Sequence, residues 1–208
     1  MPSPPPNGDR DDRLATHTAI STARGAVPLA SLHPGDRVCT LLGGDTARVV
    51  WTGRRTVDCA RHPAPHKVWP IRVAANAFGR GMPANDLVLS PGHAVYFGGS
   101  LIPAGLLANG RSVRRVLTER IAYFHIELTR HDVILANGLP VESFFPAGDR
   151  TLFGNGGTAI ALHPDFESRP WGTACAPVTR DGADLDAAIR RLDAVSTRRR
   201  RRHPHAAG

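Results

Sequence analysis

The sequence predicts an all-β fold, and three of its features lead to that prediction. Short runs rich in β-branched and aromatic residues recur at intervals of about ten residues. Turn-forming pairs such as Gly43-Gly44, Gly98-Gly99 and Asn137-Gly138 separate these runs. A single segment near the C-terminus has the three- and four-residue apolar spacing of an amphipathic helix. A succession of short strands and hairpins with few helices is typical of a β-sandwich or barrel.

The strands are predicted from runs of apolar and β-branched residues that end at Gly, Pro, Asn or Asp. A helical turn at 104–107 is predicted to be the only one among them. The predicted strands are 19–22, 26–29, 37–42, 46–57, 69–74, 87–89, 94–97, 101–103, 113–118, 121–128, 132–136 and 139–145.

The chain of 208 residues is long enough to bury a hydrophobic core and divides into five predicted parts. Its first residues are rich in Pro, Asp and Arg, a composition that predicts disorder. In the helix, Leu185, Ile189, Leu192 and Val195 form an apolar stripe. The parts are a disordered segment at 1–14, the β domain at 15–147, an irregular connector at 148–180, the helix at 181–197 and a basic tail at 198–208.

The positive charge of the chain is concentrated at its C-terminus. Residues 190–208 contain seven Arg and one Asp, so they carry +6 of the net charge of +8, and the other 189 residues carry +2. A terminal run of arginines is usually solvated, and it would contact polyanions without sequence preference. The residues of this predicted polyanion contact are Arg198, Arg199, Arg200, Arg201 and Arg202.

Several classes of protein are not expected. No run of 18 apolar residues predicts a membrane-spanning helix, and no apolar stretch near Met1 predicts a signal peptide, so a cytoplasmic location is the default. The three cysteines, Cys39, Cys59 and Cys175, form no C-x-x-C motif and predict neither a zinc ribbon nor a redox pair. No motif predicts a cofactor.

The stretch between residues 87 and 97 is the strongest candidate for a functional element. It consists of two apolar runs, Leu87–Leu89 and Ala94–Phe97, joined by Ser90-Pro91-Gly92-His93. Pro fixes one backbone angle, Gly tolerates positive φ, and Ser can bond nearby backbone, so the four residues predict a tight turn. A histidine held this way is either a rigid proton donor or acceptor, or a turn residue bonded to a carbonyl.

Taken together with the strand order, these residues resemble the Hint (Hedgehog/intein) domain, and most closely its compact bacterial Hint_2 type. The resemblance is carried by three blocks in the order that the family has them, and by a short tail. The blocks are Thr18–Thr22 with Gly25–Leu32 and Pro34–Val38, then Leu89–His93, then Tyr123–Gly138, and the tail is Trp171–Val178.

The resemblance implies self-processing chemistry at the N-terminal end of the domain. Hint domains attack the peptide bond just before themselves with a first-position Cys. A histidine, here His93, protonates the departing amide nitrogen, and a partner hydroxyl, here Ser90, helps to hold and polarise the bond. His125 occupies a position that is acidic in inteins. Inteins finish with a terminal His-Asn pair, whose Asn cyclises.

The sequence departs from this pattern at several positions. Arg13 stands where the resemblance places the first-position Cys, and a guanidinium is not an acyl-transfer nucleophile. Glu142-Ser143 stands where inteins have His-Asn, so Asn cyclisation and splicing are excluded. Hedgehog-type domains have an Asp on the strand pair before the second block, and Asp58 is the nearest carboxylate to that position here. The resemblance therefore implies the fold more directly than the activity.

Four hypotheses follow. In the first, the chain is a degenerate Hint domain. In the second, it still cleaves the peptide bond before the domain, with Thr16 or Thr18 as nucleophile and His93 as acid. In the third, it binds a partner or polyanion without catalysis. The fourth is a metal site built from histidines; His125 and His131 would share a face of an extended strand yet lie about 20 Å apart without a turn, so no metal is expected. The candidate site residues are His93, Ser90, Thr18 and His125.

Overall fold

A computed structural model describes residues 18–145, the backbone of 161–162, and residues 174–202, with side chains up to Arg198. Within these residues the chain forms thirteen strands and one α-helix, α1, at Ala183–Arg202, and 3₁₀ turns at Leu29–Ser31, Pro65–Lys67 and Ala104–Leu107. The strands are β1 Ala19–Thr22, β2 Gly25–Pro28, β3 Arg37–Cys39, β4 Thr46–Asp58, β5 Ile71–Val73, β6 Leu87–Leu89, β7 Ala94–Phe97, β8 Ser100–Pro103, β9 Val113–Arg115, β10 Arg120–Leu128, β11 Val133–Ala136, β12 Leu139–Glu142 and β13 Ala161–Leu162.

The predicted all-β class is confirmed, and each predicted strand overlaps an observed one. Three details differ. The 3₁₀ turn at 104–107 is joined by two others, at 29–31 and 65–67, where proline-containing loops tighten. The connector predicted as irregular contains β13, and α1 continues into the segment predicted as a tail. The predicted disordered segment at 1–14 and most of the connector lie outside the described residues.

Ten strands form one long, curled sheet. Its path runs β10-β4-β3-β1-β11-β12-β7-β8, with β2 paired to β1 and β13 paired to β4. The curl arises at β4, whose first residues pair with β3 and whose remaining length pairs with β10. An irregularity between Glu127 and Leu128 shifts the β4–β10 register by one residue, as a bulge that bends a strand does. Thirteen residues of β4 can therefore serve two parts of the sheet.

Three short strands form a second sheet in the order β6-β5-β9. All three residues of β6 are buried. The sequence of such a strand is a continuous apolar run rather than an alternation of apolar and polar residues, because both faces of the strand are covered. β6 leads directly into the Ser90–His93 turn, so the turn starts from a fixed point in the core.

Helix α1 packs on the β domain. Ala188 and Leu192 are fully buried in the main core cluster, one helical turn apart on one face. Arg191 Nε donates to Phe78 O over 2.8 Å, and Ser100 Oγ lies 2.5 Å from Asp184 Oδ2. The predicted stripe contacts the core at Leu192, which is buried, and at Leu185, which is partly buried; Ala188, outside the stripe, makes the second fully buried contact. Among the described residues, no helix is long and apolar enough to cross a membrane.

The β11–β12 hairpin is anchored to β1 by its turn. Asn137 and Gly138 have φ of 48° and 80°, the two successive positive values that a two-residue type I′ hairpin turn requires. Asn137 Oδ1 accepts from Ala19 N at 2.8 Å, and Asn137 N donates to Ala19 O at 2.7 Å. Asn137 O accepts from Ala84 N at 2.7 Å. One residue therefore connects the hairpin, β1 and the segment that leads to β6.

Replacing Gly138 tests how strongly the fold depends on this turn. A Cβ at Gly138 would lie 2.7 Å from Gly81 O, in addition to the strain of φ +80°. We expect Gly138→Ala to lower the free energy of unfolding by roughly 3 kcal/mol or more, because strain and backbone overlap add. The matched control is Gly98→Ala, at φ +62° with no atom within 4 Å, which carries the strain alone. Equal losses in urea denaturation would show that the contact with Gly81 contributes nothing.

Candidate functional site

The turn between β6 and β7 is held by backbone hydrogen bonds on both sides. His93 N donates to Ser90 O at 3.1 Å, which closes the predicted four-residue turn. The 3₁₀ turn after β8 lies against it, with Ala104 N donating to His93 O and Gly105 N donating to Pro91 O, both at 2.9 Å. Gly92 does not adopt a positive φ, so the turn does not use the conformational freedom of this glycine. The imidazole is thus carried by a backbone that has little freedom.

The four residues proposed from the sequence come together at one cavity of about 50 Å³. Thr18, Ser90, His93 and His125 all line it. Thr18 lies immediately before β1, and its carbonyl accepts from Leu29 N at 2.7 Å. The rest of the lining is mostly aliphatic or aromatic, with Glu142 as a further polar group. Four hydrophilic side chains from three separate parts of the chain therefore share one small, largely apolar space with a carboxylate.

His93 presents a buried polar atom to this space. Its Nε2 atom is buried and has no hydrogen-bond partner among the described residues. Burial lowers the pKa of His93, and the charge of Glu142 and a hydrogen bond with the Glu142 backbone oppose that shift only in part. The ring is therefore neutral at pH 7, and Nε2 is available to a group that enters the cavity.

His125 stands next to His93 on β10. The two ring centroids are 6.1 Å apart, and His125 meets the edge of Phe144 at 5.3 Å. Burial, together with the charges of His93 and Arg55, lowers the pKa of His125 to about 3. An imidazole with so low a pKa stays neutral across the physiological range, so His125 is suited to hydrogen bonding rather than to carrying charge.

Aromatic packing behind His125 fixes its place. Gly53 pairs with His125 across β4 and β10, and a Cβ at Gly53 would lie 2.1 Å from the Trp51 ring. The missing side chain lets the indole lie over the backbone. Trp51 packs on Phe144 at a centroid distance of 5.0 Å, and Phe144 packs on His125. Gly53 is thus a steric requirement of the site, although it lies outside the cavity.

Glu142, which the sequence pattern marks only as a departure from inteins, lines the cavity. Its Oε1 accepts from Ala94 N at 2.7 Å, directly after His93, and its Oε2 lies 3.8 Å from His131 Nε2. His131 Nδ1 accepts from Cys175 N at 3.0 Å, so the neutral ring carries its proton on Nε2 and donates to Ser143 O at 3.1 Å. Burial lowers the pKa of His131, partly offset by the charge of Glu142.

Ser143, which the resemblance aligns with the terminal Asn of inteins, has a structural role. Its N donates to Asp132 O at 2.8 Å, and its Oγ accepts from Asp132 N at 3.0 Å. The Asp132 carboxylate accepts from Leu42 N at 3.0 Å and Gly43 N at 2.9 Å, and pairs with Arg130. Ser143 does not line the cavity. These bonds join the β3–β4 turn to β11 through Asp132 and Ser143.

The remaining residues considered from the sequence are Arg13, Thr16 and Asp58. Arg13 and Thr16 are outside the described residues. Asp58 is at the end of β4, 3.8 Å from both Arg61 and Arg120, and is not part of the cavity lining. In the part of the chain that the structure describes, no three His, Cys, Asp or Glu side chains are grouped so that they could hold a metal ion.

Three buried histidines should make the fold sensitive to acid. The pKa values of His93, His125 and His131 are lowered by burial, so the unfolded chain binds more protons than the folded one below about pH 6.5. The stability that these neutral rings contribute is complete above that pH and is lost as the pH falls. Between about pH 6.5 and about pH 5, we expect the free energy of unfolding in urea to fall by up to about 1.4 kcal/mol per pH unit for each histidine.

A single substitution checks the origin of this slope. His125→Gln should make the dependence on pH shallower, because it removes one group that protonates only on unfolding. His66→Gln, on the exposed Pro65–Lys67 turn, is the matched control and should leave the slope unchanged. A slope that neither substitution alters would assign the acid sensitivity to other groups.

The chain is similar to one protein family and to several solved structures. The family model of the Hint domain (Hint_2) matches residues 14–148. The chain is similar to the MchDnaB-1 intein, with a TM-score of 0.45 and 17% identity over 63% of this chain and 99% of that one. The Msm DnaB1 intein splicing domain bound with zinc gives 0.44 and 18% over 62% and 98%. A bacterial intein-like domain from Clostridium thermocellum gives 0.45 and 14% over 62% and 97%.

No curated protein matches the chain. The family match nevertheless spans well over half of the sequence, from just before β1 to just beyond β12. It contains every residue that lines the cavity. The membership predicted from the three blocks is confirmed: the chain belongs to the Hint domain family, which is related to self-splicing domains.

Proposed function

We propose that the chain is a Hint domain that keeps the acid–base cavity of its family but does not cleave the peptide bond in front of it. The observation that carries the proposal is the buried Nε2 atom of His93, unpartnered among the described residues and facing a cavity shared with Thr18, Ser90 and His125. A group able to exchange a proton with a peptide amide is thus held in position. The nucleophile that would use it is missing from the sequence, because Arg13 stands at its place.

The C-terminal half of the chemistry is also missing. Asn cyclisation needs an amide side chain at the position of Ser143, and a serine hydroxyl cannot form the corresponding imide. Ser143 is buried and bonded to Asp132 through both its N and its Oγ atoms. Neither end of the domain can therefore complete the reaction that the resemblance implies.

The first test is whether the purified protein stays whole. We expect the wild-type chain to keep its full mass of 22.3 kDa after incubation with a thiol or with hydroxylamine, because no thioester or ester forms. Intact-mass spectrometry measures this directly. A shortened chain that accumulates with time would overturn the proposal, and its new N-terminus would identify the nucleophile.

The second test restores the nucleophile. If only the nucleophile is missing, Arg13→Cys should permit thiol-dependent release of residues 1–12. Removal of a positioned general acid costs about 100-fold or more, so Arg13→Cys combined with His93→Ala should release the fragment at least that much more slowly. Arg13→Ala is the control that removes the guanidinium without adding a thiol. Failure of folded Arg13→Cys to release the fragment would show that the cavity has lost its acid–base competence as well.

Thr18 is the nucleophile of a second candidate function, and one observation favours it. Its side chain is buried and lines the same cavity as His93. An attack by its hydroxyl on the preceding carbonyl would form an ester that hydroxylamine cleaves, releasing residues 1–17. Thr18→Val keeps the shape of the side chain and removes the hydroxyl. Release from the wild-type chain that this substitution abolishes would favour the second function over the first.

A further inference from the structure

The C-terminal end of α1 lies against the loop in front of β9. Ser196 Oγ is 3.4 Å from Ser112 Oγ, and one helical turn earlier Leu192 is buried in the core. Beyond Ser196 the helix continues for six residues, to Arg202, a rise of about 9 Å. The contact therefore places the basic end of α1 beside the loop and the strand that follow Gly110.

Both of these elements are basic and contain no acidic residue. Residues 109–118 contain three Arg and residues 194–202 contain five, and neither stretch contains an Asp or a Glu. Arg111, Arg114 and Arg198 are exposed, and none of them forms an ion pair with a carboxylate of the described residues. The three guanidinium groups and the two elements that carry them form one positively charged surface, the α1–β9 surface.

Stability does not account for this arrangement. Arginines in the last turn of a helix interact favourably with the helix dipole, which explains part of the run on α1. Arg111 and Arg114 belong to another element and gain nothing from that dipole. The contact between Ser196 and Ser112 instead brings their charges towards the run. Like charges on one surface repel each other, so the arrangement is unfavourable until an anion is bound.

The residues of the surface select the kind of anion. Guanidinium groups bind phosphate oxygens through paired N–H donors. The apolar face of α1 is closed to a lipid membrane, because Ala188 and Leu192 are buried in the core. Neither 109–118 nor 194–202 contains a Phe, Tyr or Trp on which an unpaired base could stack. These features favour the phosphate backbone of a base-paired duplex.

We propose that the α1–β9 surface binds the phosphate backbone of a nucleic acid duplex without sequence preference, and that Arg111, Arg114 and Arg198 contact phosphates. A run of arginines at the end of a chain would bind polyanions by itself. The surface makes the folded domain part of the contact, because Arg111 and Arg114 lie on the loop and on β9. The inference does not involve the cavity, so it stands whether or not the chain can cleave itself.

Fluorescence anisotropy of short labelled duplexes of DNA and of RNA, titrated with the full chain, tests the proposal. Phosphate contacts release counterions, so the logarithm of the association constant falls linearly with the logarithm of the salt concentration. We expect Arg111→Gln combined with Arg114→Gln to make this slope shallower by about 2, because each arginine accounts for about one phosphate. At low salt the affinity should fall by roughly tenfold. The duplex that binds more tightly identifies the source of the backbone.

The matched control is Arg55→Gln combined with Arg180→Gln. It removes the same charge from exposed positions on β4 and before the other end of α1, and it should leave the slope nearly unchanged. Equal losses in the two double variants would show that net charge alone drives binding and would overturn the proposal. An unaltered midpoint of urea denaturation is expected for Arg111→Gln combined with Arg114→Gln, since both side chains are exposed.

Two further results would overturn the proposal. The first is the absence of binding between the wild-type chain and either duplex at low salt. The second is tighter binding to single strands, or to vesicles that contain phosphatidylserine, than to either duplex. That result would assign the α1–β9 surface to unpaired nucleic acid or to an anionic membrane.

Discussion

The cavity depends on the hydrogen bonds of Asn137. Its backbone and side chain together hold Ala19 and Ala84, which belong to parts of the chain far from it in sequence. Thr18, one residue before Ala19, is one wall of the cavity, and β11 and β12 on either side of Asn137 carry another. Because Gly138 lies against Gly81, the turn also fixes the loop that leads towards β6 and His93. A single two-residue turn thus places three walls of the cavity relative to one another.

Asp132 and Glu142 lie near the ends of neighbouring strands, but one carboxylate stabilises the fold and the other faces the cavity. Asp132 receives hydrogen bonds from two turn amides and pairs with Arg130, so its charge is fully used in holding the β3–β4 turn. Glu142 receives one amide, from Ala94, and faces the cavity. The difference follows from their surroundings: Asp132 meets an arginine two residues before it, whereas Glu142 meets the imidazoles of His93 and His131, which burial keeps neutral.

Local patterns in the sequence predict much of this fold. The runs at 87–89 and 94–97 coincide with β6 and β7, because each is a short apolar run stopped by turn residues. Thr18, Ser90, His93 and His125 were proposed together from a family resemblance, and the fold places them around one cavity. The tolerance of Gly92 for positive φ is not used, because none of the four residues of this turn adopts a positive φ.

Contacts between distant residues could not be predicted in the same way. The pairing of Asp58 with Arg120 and the bond from Ala94 N to Glu142 join residues 62 and 48 positions apart. The periodicity of a single sequence does not indicate which distant residue will be the partner in such a contact. One clue to the position of Glu142 is that it directly follows Val141. Val141 pairs with Val95, and this pairing brings Glu142 beside His93.

The residues beyond the family match also shape the cavity. Residues 174–179 form a strap along β8, with Leu101 N donating to Pro177 O at 2.8 Å and Thr179 N donating to Leu101 O at 2.9 Å. At the start of this strap, Cys175 N fixes the tautomer of His131, and His131 in turn presents its Nε2 proton towards Ser143 O and Glu142. Cys175 and Ala176 of this segment pack on Ala94, Leu101 and Val133. The electrostatic environment of the Hint cavity in this chain is therefore set partly by a segment outside the matched domain.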